Sequence, residues 1–352
     1  MAPIPNVVII TGFLIGLIFG VVGLISGFCL TTGLRNWWTQ GDGRMIRTFA
    51  LAVAVAVVCT QLLAAGGFVA LSESIYLQPS FSAPLILFGG ILFGYGMVAA
   101  NACASRALVL LGRGNLRSLV VLTTVAVTAE MTLKGLIAPM RITFLHWSQA
   151  TLNVISLPAL ISASGLNDSF ARLIAAATVG GVLLVFAFAY VPFRRSQGHI
   201  MAGVAIGLLI SAGWLATGYL GTDAFEPAPL ASLTFIAPLA DTLQYVMFAT
   251  GSTVDFGIAV VSGVLFGSLV VSLITQRFIW EGYSSARHML RSIGGGALMG
   301  CGGAMAYGCS IGQGLTGLST LGLPSLVATT GILIGAAAAL LSPVRITALA
   351  TT

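Results

Sequence analysis

Charge is what this sequence has least of: 15 Lys and Arg and nine Asp and Glu make up only 7% of 352 residues, and Lys134 is the single lysine. With 57% hydrophobic residues and a mean hydropathy of +1.04, that scarcity excludes a soluble globular chain and leaves a polytopic membrane protein. Histidine is also scarce. His146, His199 and His288 all fall at connections between apolar runs, so no pair within a span is available for a b-type haem. The five cysteines, Cys29, Cys59, Cys103, Cys301 and Cys309, contain no C-x-x-C, which argues against a disulfide framework or a zinc site. It also argues against the competing reading of a quinone-coupled membrane thiol oxidoreductase, which would want a vicinal redox pair. No metal or other cofactor is expected. The first apolar run, Val7 to Leu34, lacks a basic leader and leads directly into further runs, so it is expected to be a retained span. The net charge of +6 comes from arginines placed mostly in connections, a membrane-topology bias and not a nucleic-acid footprint.

Glycine, at 44 residues, is what the chain has in quantity. The densest stretch is IGGGALMGCGGAMAYGCSIGQGLTGLSTL, Ile293 to Leu321. A shift of 206 positions sets Cys103 on Cys309 and brings Gly89, Gly90, Gly94 and Gly96 onto Gly295, Gly296, Gly300 and Gly302. Such a match, twice followed by a further apolar run, indicates a duplicated membrane unit. The glycines are expected to break each helix near mid-membrane. Gly12 and Gly16 match Gly203 and Gly207 more weakly, and in that register Cys29 falls opposite Leu220.

The runs predict an all-α polytopic membrane protein, an inverted-repeat helical transporter fold with nine crossings plus re-entrant or half helices. The crossings are Val7 to Leu34, Ile46 to Leu71, Pro84 to Cys103, Leu116 to Pro139, Phe170 to Phe193, Ile200 to Leu220, Asp255 to Thr275, Gly294 to Cys309 and Pro324 to Leu341. Leu233 to Thr250, with Pro238 and Asp241, is read as re-entrant, since a crossing there would put the basic 277–291 connection on the wrong side. Arginines at 35–47, 105–117, 194–195, 277–291 and 345 mark the cytoplasmic side. Connections holding Glu73, Asp223 and Glu226 but no basic residue mark the other, which places the N-terminus outside and the C-terminus inside. Arg141 to Trp147 is expected along the interface. Residues 1–352 are read as one integral membrane domain, with inverted halves at roughly 1–150 and 195–352 linked by the span at 169–193.

Inverted broken helices put backbone N–H groups of half-helix N-termini inside the membrane, where an anion is favoured. Ala107 to Leu111 and Leu315 to Leu318 are the expected half-helices. A neutral thiol is a weak donor that does not repel an anion, so a path lined by Cys29, Cys103 and Cys309 suits a soft, sulfur-containing one. Cys59 and Cys301 are read as packing residues. Asn101, Arg106, Gln313 and Asp241 complete the candidate substrate-binding set, though Arg106 could equally mark the cytoplasmic boundary. Glu130 and Lys134, spaced i, i+4, either neutralise one another or serve transport, and Asp241 or Glu130 could relay protons.

Three segments, FCLTTGLRNW, FGYGMVAANACASRALVLLGRGNLRSLVVL and GGGALMGCGGAMAYGCSIGQGLTGLSTL, with SLTFIAPLADTL at Ser232 to Leu243, resemble the signature segments of the YeeE/YedE family of inner-membrane sulfur-compound transporters. The resemblance runs over essentially the whole chain. It implies a bacterial inner-membrane protein that takes up thiosulfate, and not an enzyme, with Cys29, Cys103 and Cys309 at the positions of the family's path cysteines. Any sulfur carrier of the TusA type is expected as a separate chain, and other members are associated with selenium or other sulfur species. A passive anion channel remains the alternative in the same class.

Overall fold

A computed structural model describes residues 6–151, 154–163, 165–221 and 228–342. The chain is an all-α polytopic membrane protein. Its helices are α1 Asn6–Ser26, α2 Leu30–Gln40, α3 Arg44–Ala65, α4 Ala83–Ala99, α5 Ala104–Gly112, α6 Leu116–Leu133, α7 Ala138–Ser148 and α8 Leu157–Ser162, followed by α9 Asp168–Phe188, α10 Val191–Arg194, α11 Gln197–Gly218, α12 Ile236–Met247, α13 Phe256–Ile274, α14 Ala286–Met305 and α15 Leu323–Leu341. A short two-stranded pairing, Ser80–Phe81 with Ala150–Thr151, ties two connections on one side together.

Among the described residues, eight segments are long and apolar enough to cross a bilayer, and α14, whose first turns carry Arg287 and Arg291, adds a ninth 20-residue helix packed between α4 and α6. Glycine contacts fix their relative directions. On α1, Gly12, Gly16 and Gly20 meet Phe256, Val260 and Val264 in turn, so α1 and α13 run the same way. By the same test α11 runs with α3 (Gly203 on Thr48, Gly207 on Ala52), α15 with α4 (Gly90 on Ala328, Gly94 on Ile332), and α14 with α6 (Gly296 on Val121, Gly300 on Val125). The end of α1 lies beside the start of α11, as Val22 and Ser26 share a cavity wall with Gly198 and Ala202, so these two run oppositely. Hence α11 and α13 are opposed. The intervening α12, with 12 residues or about 18 Å of helix against an apolar layer of about 30 Å, enters and leaves on one side, as expected for 233–250.

Lipid tails are as apolar as leucine, so helices in a bilayer associate through close packing of small residues. The glycines serve that end and do not break the helices. Both α4 and α14 are continuous through their glycine runs and cross antiparallel, Gly89 on Gly302 and Gly96 on Gly295, where an added Cβ would stand 2.5–2.8 Å from the facing backbone. Under the shift of 206 these two contacts exchange with each other. The actual breaks come later in the chain, at Ala100–Cys103 and Ala306–Cys309. A further break at Gly27–Cys29 divides the expected single span Val7 to Leu34 into α1 and α2. Within these breaks Gly27 (φ 70°), Asn101 (φ 60°) and Tyr307 (φ 55°) take left-handed backbone, each two positions before a cysteine.

The shift of 206 also carries the first residue of α2, Leu30, onto the first of α12, Ile236, so the residue matching Cys29 is Phe235 and not Leu220. The weaker glycine match holds for α1 and α11 at a shift of 191, and the longer connection between α11 and α12 absorbs the difference. Part of that connection, with Asp223 and Glu226, and also Arg345, lies outside the described residues. Helix α7 covers the predicted interfacial stretch and exposes Met140 and Trp147, at 68% and 80%.

Gly94→Ala should lower stability by about 1–3 kcal/mol, because the new methyl meets the Ile332 carbonyl and the Ala336 N–H of α15. Gly181→Ala, on α9 with nothing within 4 Å, should be neutral or slightly stabilising. Thermal unfolding in detergent micelles would compare the two.

Candidate functional site

Each break leaves backbone groups that a bilayer cannot hydrogen-bond. Side chains take them up. Arg106 donates through Nη1 to the Gly23 carbonyl (2.9 Å) near the end of α1, and Ser26 Oγ accepts from the Phe28 N–H (3.2 Å). Gln313 Nε2 donates to the Ala306 carbonyl (2.6 Å) at the end of α14. Before α12, Thr316 donates to the Leu233 carbonyl (2.6 Å), and Ser232 ties the same stretch to the body of α11 through the Ile210 carbonyl (2.6 Å). Gln61 Nε2 on α3 donates to the Ser319 carbonyl (2.8 Å), and Trp214 to the Ser319 hydroxyl (3.1 Å).

With the breaks closed in this way, the three cysteines stand at their edges. Cys29 is the residue before α2, Cys103 the residue before α5, and Cys309 precedes a π-helical turn, Gly312–Gly317, in place of the half-helix expected at Leu315 to Leu318. All three are buried, at 3%, 1% and 1% exposure. Cys29 and Cys103 bring their sulfurs to 3.7 Å, and Cys103 also meets Ser105 Oγ at 3.3 Å. The pair is spatial and has no C-x-x-C behind it. Cys309 Sγ instead accepts from the Gly312 N–H (3.3 Å) and faces the backbone of Phe235. Under the shift of 206, Cys29 with Cys103 corresponds to Phe235 with Cys309.

Two cavities flank these cysteines. One, of about 190 Å³, is lined by Tyr76, Gln78, Tyr307, Gln313 and Pro324 among others. The other, of about 90 Å³, is lined by Asn101, Asn115, Arg117, Ser118, His288 and Ser292 among others. The first lies on the connections that follow α3 and α14, the second on those that follow α4 and precede α6, at the opposite end of the helices. Four of their wall positions correspond under the same shift: Asn101 with Tyr307, Ala107 with Gln313, Ser118 with Pro324, and Ile86 with Ser292. The first is uncharged and aromatic; the second carries Arg117 and His288. Next to Cys29, Phe28 stacks on Phe49 (5.6 Å), and Phe19 lies against Phe235 (5.3 Å).

The candidate residues therefore divide. Asn101 is at the second cavity and accepts from Arg35 Nη1 (2.6 Å); Gln313 is at the first, with Oε1 unpartnered among the described residues. Arg106 secures the Gly27 break. Asp241 is brought to neither cavity: it pairs with Lys134 at 3.1 Å, while Lys134 also meets Glu130 at 3.3 Å, so the i, i+4 neutralisation extends to a third residue. Cys59 and Cys301 are half-buried and apart from the other thiols. Sequence reasoning passed over Tyr76, Arg35, Gln61 and Trp214. Gln61 was findable, as an uncharged amide in the apolar run VVCTQLLAA.

The sequence profile described as sulphur transport matches residues 25–338. A protein named thiosulfate transporter TsuA from Escherichia coli (strain K12) is 25% identical over 325 residues, covering 87% of this chain and 86% of that protein. A protein of the same name from Spirochaeta thermophila is 24% identical over 342 residues, covering 92% of this chain and 96% of its own length. The profile match spans every break, both cavities and all three cysteines at the breaks, and on it the chain belongs to the sulphur transport family of membrane transporters.

Proposed function

We propose that this chain takes up thiosulfate across the bacterial inner membrane, along a route from the Tyr76–Gln313 cavity past Cys309, then between Cys103 and Cys29, to the Asn101–Arg117 cavity. The observation that carries the reading is the placing of all three cysteines at buried helix breaks, flanked by two cavities at opposite ends. The names of the relatives support the substrate. At the breaks, backbone N–H groups at half-helix N-termini supply positive partial charge, and thiols supply donors without repelling an anion. Asn101 and Gln313 bind at the two ends, and Arg106 sets the geometry of the first break. Asp241 is left to the Lys134 ion pair.

In the same reading the chain is two inverted halves, roughly 1–150 and 195–352, joined by the span at 169–193. The antiparallel crossing of α4 and α14 and the matching of the cavities support it. Arg35, Arg113, Arg117, Arg194, Arg195 and Arg277 gather at the end of the second cavity, which supports a cytoplasmic place for that end and a periplasmic one for the N-terminus. A separate TusA-like carrier would receive the sulfur there.

Moving a dianion inward against about 100 mV costs about 4.6 kcal/mol, which uncoupled uptake meets only with an outside excess of roughly two thousandfold. Among the described residues no carboxylate lines either cavity, and Asp241 is held by Lys134, which supports facilitated uptake drawn by consumption inside.

Three outcomes follow. Cys103→Ala and Cys309→Ala should each reduce uptake of labelled thiosulfate into proteoliposomes to background with expression retained, while Cys59→Ala stays near wild type; near wild-type uptake in both of the first two would sink the thiol route. Reporters inserted at Gly251 and Gly282 should read opposite sides, and reading the same side would overturn the topology. In proteoliposomes free of cytoplasm, thiosulfate should equilibrate without accumulating, with or without an inward proton gradient. Gradient-driven accumulation lost in Asp241→Asn would replace facilitated uptake with proton coupling.

A further inference from the structure

Of the five cysteines, only Cys29 and Cys103 have sulfurs in contact, at 3.7 Å. A disulfide bond is about 2.05 Å long, so closing the gap takes less than about 1 Å of movement by each sulfur. The two residues belong to different broken segments, α1–α2 and α4–α5, and each sits in the non-helical residue before its short helix, where the backbone is extended. A bond between them would join the two broken segments on the proposed route between the two cavities. The corresponding place in the other half holds Phe235 and Cys309, one thiol and no partner, so this chemistry belongs to the inner end alone.

We propose that Cys29 and Cys103 are a thiol pair that oxidised sulfur anions convert to a disulfide, closing the route. This rests on the reading of the route as one for thiosulfate. The oxidant is of the class that route admits: an anion with a sulfur–sulfur bond between two sulfonate-bearing ends, for which tetrathionate is the probe. One thiol gives up its proton and its sulfur attacks a central sulfur of tetrathionate. The central S–S bond breaks, one thiosulfate leaves, and the cysteine carries the other half through a new S–S bond. The second thiol then gives up its proton and attacks the cysteine sulfur of that adduct, so that the second thiosulfate leaves and the Cys29–Cys103 bond forms. Two thiols lose two electrons, tetrathionate gains two and becomes two thiosulfates, and two protons pass to water. The adduct never has to leave the site, because the second sulfur is already in contact with the first. With the bond in place the two broken segments cannot part, and the anion is held out until a dithiol reductant reopens the pair.

The test uses the full chain with Cys59→Ala and Cys301→Ala, which leaves the three break cysteines, reconstituted in proteoliposomes and treated with tetrathionate. Expected are a Cys29–Cys103 crosslinked peptide, two hydrogens lighter than its two free peptides together and without Cys309, and loss of thiosulfate uptake to the level of protein-free vesicles, restored by dithiothreitol. In Cys29→Ser the reaction should stop at its first step, leaving a thiosulfate adduct on Cys103. The proposal fails if Cys29 and Cys103 both remain alkylatable after treatment, or if crosslinked protein transports at the untreated rate. The peptide map is read without transport, so untreated protein that takes up no thiosulfate overturns the route's substrate, whereas a missing crosslink overturns the pair.

Discussion

A helix broken inside a bilayer must have its freed N–H and C=O groups satisfied by protein, since lipid offers none. That constraint governs the structure. It explains why Arg106, Gln313, Thr316 and Gln61, polar residues in an apolar chain, donate to the carbonyls at or beside the breaks. It also explains why the breaks are sunk among other helices: only a protein-lined interior tolerates them. The thiols stand where this polar work has been done, beside backbone that is irregular yet largely satisfied.

Bringing enough helices around the breaks requires close approach, which glycine supplies. Gly16 and Gly20 on α1, Gly94 on α4 and Gly335 on α15 lie against facing backbone carbonyls at separations that leave no room for a methyl group. The packing is between segments distant in sequence. Helix α1 lies on α13, α3 on α11, α4 on α15 and α6 on α14, so the surroundings of every break are built jointly from both ends of the chain.

Much of this was legible in the residues. The match of Cys103 with Cys309 marked two of the three segments that break, and the basic 277–291 connection together with Pro238 and Asp241 pointed to a segment that does not cross. The glycines misled about where the helices break, because in an apolar run a glycine that packs and a glycine that bends are spelled alike. The turns fall instead at Asn101 and Tyr307, whose left-handed backbone only tertiary context dictates. The division at Gly27 was hidden because the run Val7 to Leu34 is apolar throughout. The contact of Cys29 with Cys103, 74 residues apart, had no local spacing to announce it, and the partnering of Lys134 with Asp241 depends likewise on how α6 meets α12.

The exchange of partners between distant helices also bears on the order of synthesis. When α4 has left the ribosome, its packing partner α15 lies more than 220 residues ahead, and α1 waits still longer for α13. At about 5–20 residues per second, α4 stands without its partner for roughly 10–50 s. During that interval the glycine faces of α1 and α4 have only lipid or chaperoning protein against them, and both residues of the inner thiol pair are made before the helices that enclose it exist.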